Sequence, residues 1–452
     1  MAFRLIESVA STEPLANLFA DESILHAMLD FEVALAKVES RLGIIPASAA
    51  RSIAAAANPE ACDTAELSRQ SLRAGTPSIP LVKTLTKLVR AKDESAAAFV
   101  HWGATSQDVS DTALMVLLKQ AQPLIEADLA RCENALGALS ERHKHSVMLG
   151  RTLLQPGPPT TFGLKAGGWL GAIRRGRVRL SHAFAEALVI QFGGAVGTLA
   201  VLGEKGFVVA QELAAELGLG CPDAPWHTHR DRLGALICAC GLVTGSLGKI
   251  ARDVSLLMQN EVGEAAEPAS EGRGGSSTMP HKRNPIGCSV TIAAATRMPG
   301  LVASYLTAML QEHERSVGGS QSEWPTVAAV IQTTGVTAAS IAEILEGLTV
   351  DSTRMRRNLE QIRGIVFAEK AMVLLSRSLG REKAHELLEA AVRKAVEEKR
   401  DLADVLGDMP EIITIVDKNS LQQLTVPEDY LGSAETFRRE MLRETTPIST
   451  KS

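Results

Sequence analysis

Gly274-Gly275-Ser276-Ser277-Thr278-Met279-Pro280-His281-Lys282-Arg283-Asn284-Pro285 is a polar stretch between two long helical patterns. A hydroxyl pair at Ser276 and Ser277, an ammonium at Lys282 and a carboxamide at Asn284 fall within nine residues. Such groups donate hydrogen bonds to an anion, the chemistry needed where negative charge develops during a reaction. The two glycines release backbone constraint, and Pro280 and Pro285 restore it. That combination is expected of a loop that folds over a ligand and then holds its shape.

Composition narrows the class of partner. With 47 Lys and Arg against 52 Asp and Glu the net charge is −5, so no global positive field is available to hold nucleic acid. At 452 residues and 45% hydrophobic content the chain can bury a sizeable core, and its length suggests about three domains. Six cysteines (Cys62, Cys132, Cys221, Cys238, Cys240, Cys288) are scattered without a paired framework, which fits reduced thiols in a cytoplasm. Cys238 and Cys240 lie two apart in a helical pattern and point to different faces. The same spacing rule, applied to His143 with His145 and to His227 with His229, predicts no metal site. The Gly193-Gly194-Ala195-Val196-Gly197 run has neither a βαβ frame nor a following P-loop lysine, so no nucleotide is expected there. Met1 to Leu15 carries Glu7 and Glu13 and no apolar core, unlike a secretory leader. The longest uncharged run, Leu233 to Gly248, is too short to span a bilayer and reads as a buried helix.

The elements that must position this chemistry are helices almost throughout. From Asp108 to Ser146 apolar residues recur at Leu114, Leu118, Ala121, Ile125, Leu129, Cys132, Leu136 and Leu139, one stripe along a helix on the order of 55 Å long. Arg230 to Glu267 repeats the pattern, with Pro268 as its expected stop. Thr160 to Val189, Ile286 to Arg315 and Pro325 to Leu348 complete a set of five long helices, which implies a bundle. Several are apolar on more than one face, notably Leu233 to Gly248 and Ile286 to Leu310, so association with other copies of the chain is expected. Shorter helices before Thr105 and after Asp351 read as end domains, and Thr445 to Ser452 as a frayed terminus.

Three ordered segments carry a resemblance over nearly the whole length. His101-Trp102-Gly103-Ala104-Thr105-Ser106-Gln107-Asp108, then Gly150-Arg151-Thr152-Leu153-Leu154-Gln155 with Gln191-Phe192-Gly193-Gly194-Ala195-Val196-Gly197, then Gly275 to Pro285, together resemble the fumarase/aspartase superfamily. The resemblance implies an all-α fold of three helical domains, 1–104, 105–350 and 351–452, with a mobile loop at about 268–285. It also implies that the central five-helix domain forms a 20-helix core in a homotetramer, where motifs from three subunits build each site. Within the superfamily the chain is most similar to the bacterial 3-carboxy-cis,cis-muconate cycloisomerase family of the protocatechuate branch. Trp226-His227 before Arg230-Asp231-Arg232, Gly272-Arg273-Gly274, and Gln311-Glu312-His313-Glu314-Arg315-Ser316 carry that likeness. The competing likeness is to the adenylosuccinate lyases, which eliminate fumarate and place a catalytic histidine after Gly-Arg-Thr. This chain has Leu153 there, and leucine cannot protonate a leaving group. The cycloisomerases carry a tryptophan at that place, so Leu153 is expected to alter the shape of the pocket.

The implied reaction is cofactor-free. One terminal carboxylate of the substrate adds to the carbon bearing the 3-carboxyl group, and a proton reaches the neighbouring carbon through an enolised carboxylate. Such an intermediate demands fixed positive charge and donors, which Lys282 and Asn284 offer. Family position makes Ser276 the proton donor. Thr105 and Ser106 at a helix N-terminus, with His101, Arg151, Thr152, Gln155, His313 and Arg315, are the candidates for holding the small tricarboxylate substrate. Arg151 and Arg230 serve equally well as structural ion-pair partners, and a helix cap accounts for Asp108. No metal, redox carrier, nucleic acid or membrane is implied as a partner. A helical scaffold that kept the fold and lost the chemistry is the remaining alternative, against which Ser276, Lys282 and Asn284 stand.

Overall fold

The computed structural model describes residues 7–269, 274–275, 279 and 282–443. The proton-donor candidate Ser276, with Gly272 and Arg273 and the Thr445 to Ser452 terminus, lies outside the described residues.

The apolar stripe beginning near Asp108 becomes a single helix, Ser106–Arg142 (α1), of 37 residues that runs on through Pro123. Leu118, Ala121, Ile125, Leu129, Cys132 and Leu136 along it are fully buried, as steps of three and four require. Four further long helices follow: α2 (Phe162–Ala187), α3 (Asp231–Leu257), α4 (Ile286–Ala308) and α5 (Gly319–Glu346). The fold is all-α, 70% helical with 4% strand. Among the described residues the strands form two small antiparallel pairs, β1 (Val147–Thr152) with β2 (Gln155–Thr161) and β3 (Ala265–Ala266) with β4 (Thr349–Val350).

Three helix ends differ most from the expectation. α3 stops at Leu257 rather than running to Glu267, because the polar turn after Met258 reaches Gly263 at φ +61° and the chain then enters β3. α4 stops at Ala308 rather than Arg315, where the Gln311 side chain donates to the Ala308 carbonyl and His313 takes φ +49°. α5 starts at Gly319, ahead of Pro325, and the Ser316 hydroxyl accepts from Ser320 N–H at its start.

The chain divides into two compact units. The first comprises Met1–Ala130, Arg175–Lys249 and Ser289–Ile341. In it the Asp21–Arg41 helix packs on the Ala47–Ala56 and Gly206–Leu217 helices. Here α3 and α4 approach closely, since a Cβ at Gly248 would lie 2.6 Å from that of Ala295. The second comprises Arg131–Arg174, Ile250–Cys288 and Ala342–Ser452. It contains the β1–β2 hairpin, which packs on the Ser352–Glu360 helix, and a C-terminal core built on Leu375, Leu388, Leu402, Val405 and Leu421.

The run Leu233 to Gly248, expected to be too short to span a bilayer, lies within the 27-residue α3. By length and composition alone, α3, α4 and α5 are each long and apolar enough to cross a membrane. The chain itself buries 56% and 67% of the most apolar windows of α3 and α5, and 28% of that of α4. The first two are core helices, whereas α4 keeps much of its apolar surface exposed.

Candidate active site

In the first unit, Thr105 and Ser106 stand at the start of α1, as the motif requires. The Thr105 hydroxyl accepts from Arg315 Nη1 at 2.8 Å across 210 residues of sequence. This brings together two of the candidates for holding a carboxylate. His101, four residues earlier, sits at φ +61° with Nδ1 2.6 Å from the buried carboxylate of Glu32. Burial pulls its imidazole pKa down, but the Glu32 charge and hydrogen bond outweigh this and Asp108 adds to them, leaving it raised. Ser106 is half-buried and its carbonyl accepts from the Ser110 hydroxyl. His313 is exposed, and its carbonyl accepts from the Thr228 hydroxyl at 2.9 Å.

Asp108 does more than cap α1. Its carboxylate accepts Thr105 N–H at 3.0 Å, Gly193 N–H at 3.1 Å and Gly194 N–H at 2.9 Å, and lies 2.7 Å from His227 Nε2. The Gly193-Gly194 run is thus the packing partner of a buried carboxylate. A Cβ at Gly193 would lie 2.6 Å from Pro225 and 2.8 Å from His227, so glycine is required there. Neither histidine pair lies on a helix: His143 and His145 follow α1, and His227 and His229 precede α3. Their separation by helical facing therefore does not hold, and His227 is held instead by Asp108.

Arg230 is fully buried between two carboxylates, Asp111 at 2.8 Å and Glu323 at 2.6 Å, with its guanidinium over the Trp226 ring. The ion-pair reading applies to it, with partners other than the neighbouring Asp231. Glu323 also accepts from Gln311 Nε2 at 2.7 Å, which anchors the segment that carries His313 and Arg315. Burial pushes the Glu323 carboxyl up against the opposing pull of Arg230.

In the second unit, Arg151, Thr152 and Gln155 sit on the β1–β2 hairpin, where Thr152 pairs with Gln155. A bulge at Leu149/Gly150 places Gly150 against the Pro158 carbonyl, 2.4 Å from where a Cβ would stand. Leu153 and Leu154 form the tip at φ +50° and +65°, with Leu153 97% exposed. Both terminal nitrogens of Arg151 bind Glu264, at 2.8 and 2.7 Å, and Asn358 Nδ2 adds a third donor to that fully buried carboxylate. Arg151 is therefore committed to an ion pair. Thr152 and Gln155 are exposed.

The described residues that flank the Ser276 motif are tied at two points. The carboxylate of Glu267 accepts Gly287 N–H at 3.0 Å and Cys288 N–H at 2.7 Å, satisfying the first turn of α4 from outside the helix. Gly274 O accepts Asn284 N–H at 2.9 Å, with Gly274 at φ +71° pressed against the Asn284 carbonyl. Lys282 is exposed and Asn284 half-buried. Glu32, Glu264 and Glu323 hold motif residues in place, and Glu267 holds the turn just after Pro285, yet no local spacing announces these partners.

A family profile described as lyase matches residues 7–300, and one described as adenylosuccinate lyase C-terminus matches residues 364–441. The chain is 47% identical to a 3-carboxy-cis,cis-muconate cycloisomerase of Pseudomonas aeruginosa over 98% of its own length and 96% of that protein. It is 46% identical to one of Bradyrhizobium diazoefficiens, covering 93% of this chain and 94% of that one. The crystal structure of the 3-carboxy-cis,cis-muconate lactonizing enzyme from Pseudomonas putida superposes with a TM-score of 0.91 at 44% identity, covering 97% of this chain and 98% of that one. The chain belongs to the lyase family of the fumarase/aspartase superfamily, alongside the 3-carboxy-cis,cis-muconate cycloisomerases.

Proposed function

We propose that the chain lactonises 3-carboxy-cis,cis-muconate to 4-carboxymuconolactone without a cofactor, as a cytoplasmic homotetramer. A terminal carboxylate oxygen forms a bond to the carbon bearing the 3-carboxyl group. The electron pair of that double bond moves to the neighbouring carbon and into its carboxylate, and a proton from Ser276 completes the addition. No atom is lost. Lys282 supplies positive charge and Asn284 an oriented hydrogen-bond donor to the enolised carboxylate, which carries two negative charges. Thr105, Ser106, His101, His313 and Arg315 hold substrate carboxylates, and Thr152 and Gln155 approach from the hairpin with Leu153 shaping the wall. Arg151, engaged with Glu264, fixes that hairpin.

In this reading the central segment 105–350 forms the shared core, segments 1–104 and 351–452 flank it, and neighbouring copies complete each site. The observation that carries the choice of reaction is Leu153. Where an adenylosuccinate lyase needs a protonating imidazole, this chain presents an alkyl group at the hairpin tip. The absence of a disulfide among the described residues suits a reducing cytoplasm.

The test is a pair of variants. Ser276→Ala and Lys282→Ala should each lower kcat for lactonisation by about 10²- to 10⁴-fold, the range for lost acid-base groups and charge stabilisers. Full rate in either variant would remove that residue from the mechanism.

A further inference from the structure

We propose that Glu32 is the positioning residue for His101, fixing the imidazole with Nδ1–H turned into the protein and Nε2–H turned to a carboxylate of the substrate. The inference rests on the lactonisation reading and extends it to a residue outside every motif.

Glu32 lies on the Asp21–Arg41 helix, 1% exposed, and its Oε1 is 2.6 Å from His101 Nδ1. Its other oxygen has no hydrogen-bond partner among the described residues. Nε2 of His101 has none either, and the side chain keeps 17% exposure. A buried carboxylate with one oxygen unsatisfied and a histidine backbone at φ +61° each cost stability. An apolar pair would fill the same space at less cost, so the arrangement serves the imidazole rather than the fold. A carboxylate on Nδ1 fixes the tautomer and favours the cation, and so leaves Nε2 as a charged donor.

The charged groups acting on this imidazole come from two helices. Glu32 stands on the Asp21–Arg41 helix and Asp108 on α1; Glu39, one heptad beyond Glu32, interacts with Glu32 and not with the imidazole. Asp108 is engaged by His227 and three backbone donors, and Arg315 is held on Thr105 in the same network. Glu32 is thus the carboxylate that bonds His101 directly. Its effect and that of Asp108 keep the imidazole protonated to higher pH than usual.

The experiment combines titration with kinetics on the full chain. The ten histidines are labelled with carbon-13 at Cε1, the His101 signal is assigned with His101→Asn, and Glu32→Gln and Glu32→Asp are compared with wild type. In Glu32→Gln the His101 signal should titrate at lower pH. Its kcat/KM on 3-carboxy-cis,cis-muconate should fall about tenfold to a hundredfold, mainly through KM, as expected for loss of a charge-assisted hydrogen bond. The alkaline limb of its pH profile should move down, and Glu32→Asp should recover part of both effects. An unchanged His101 titration, or a kcat/KM within twofold of wild type with the same pH profile, would overturn the proposal. Should Glu32→Gln not fold, Glu32→Asp carries the same test, with a smaller downward shift and a raised KM. Failure of wild type to consume the muconate would overturn the lactonisation reading alone, since the titration still decides whether Glu32 controls His101.

Discussion

Glu39 lies seven residues beyond Glu32 on the same helix face, fully buried, and neither carboxylate oxygen has a hydrogen-bond partner among the described residues. Burial, reinforced by the Glu32 charge, pushes its carboxyl up to about 8. The folded protein therefore holds a proton that the unfolded chain releases near pH 4.5, so stability falls as pH rises from there to about 8. The slope from this one group is at most about 1.4 kcal/mol per pH unit. Glu39→Gln should remove it, raising Tm at pH 8 and leaving Tm near pH 4 unchanged. A Tm-against-pH series with parallel curves for wild type and variant would contradict the assignment. The candidate residues bearing donors and charge stand out in the sequence because their types and order are distinctive. The carboxylates that hold them were not: Glu32 and His101 are 69 residues apart, and Arg151 and Glu264 are 113 apart. Only folding brings such pairs within reach.

At the scale of elements, helical periodicity located all five long helices, because a buried stripe constrains every third or fourth residue. It failed at the ends, where caps decide. Gln311 turns back onto the Ala308 carbonyl, and Glu267 accepts from the start of α4, 20 residues further along the sequence. The β1–β2 hairpin escaped periodicity altogether, since its prolines and bulge disguise a strand pattern. Its tip is unusual: the two-residue turn holds leucine twice at positive φ, where asparagine and glycine are favoured. Each left-handed leucine costs about 1–2 kcal/mol. Replacing Leu153 with Asn and Leu154 with Gly should therefore raise Tm. If the leucines shape the substrate wall, as proposed, kcat/KM on the muconate should fall in the same variant. A more stable variant with full activity would detach the tip from the site.

For the whole molecule, the most exposed of the three apolar helices bears on assembly. The chain covers only 28% of the most apolar window of α4. Burying such a surface contributes about 25 cal/mol per Å², so the proposed assembly is expected to pack α4 of one copy against another. Ala303 is exposed on this helix, and glutamate there retains helix propensity while placing charge on the face proposed to be shared. Light scattering should find a tetramer for wild type and a smaller species for Ala303→Glu, with activity lost alongside the assembly. A wild-type monomer with full activity would exclude sites built from several copies. The reaction itself is tested most directly by following the conjugated diene absorbance of 3-carboxy-cis,cis-muconate after adding the purified protein, with adenylosuccinate in a parallel cuvette. The account predicts loss of the diene signal with formation of 4-carboxymuconolactone and no fumarate from adenylosuccinate. An unchanged diene spectrum together with fumarate release would contradict it.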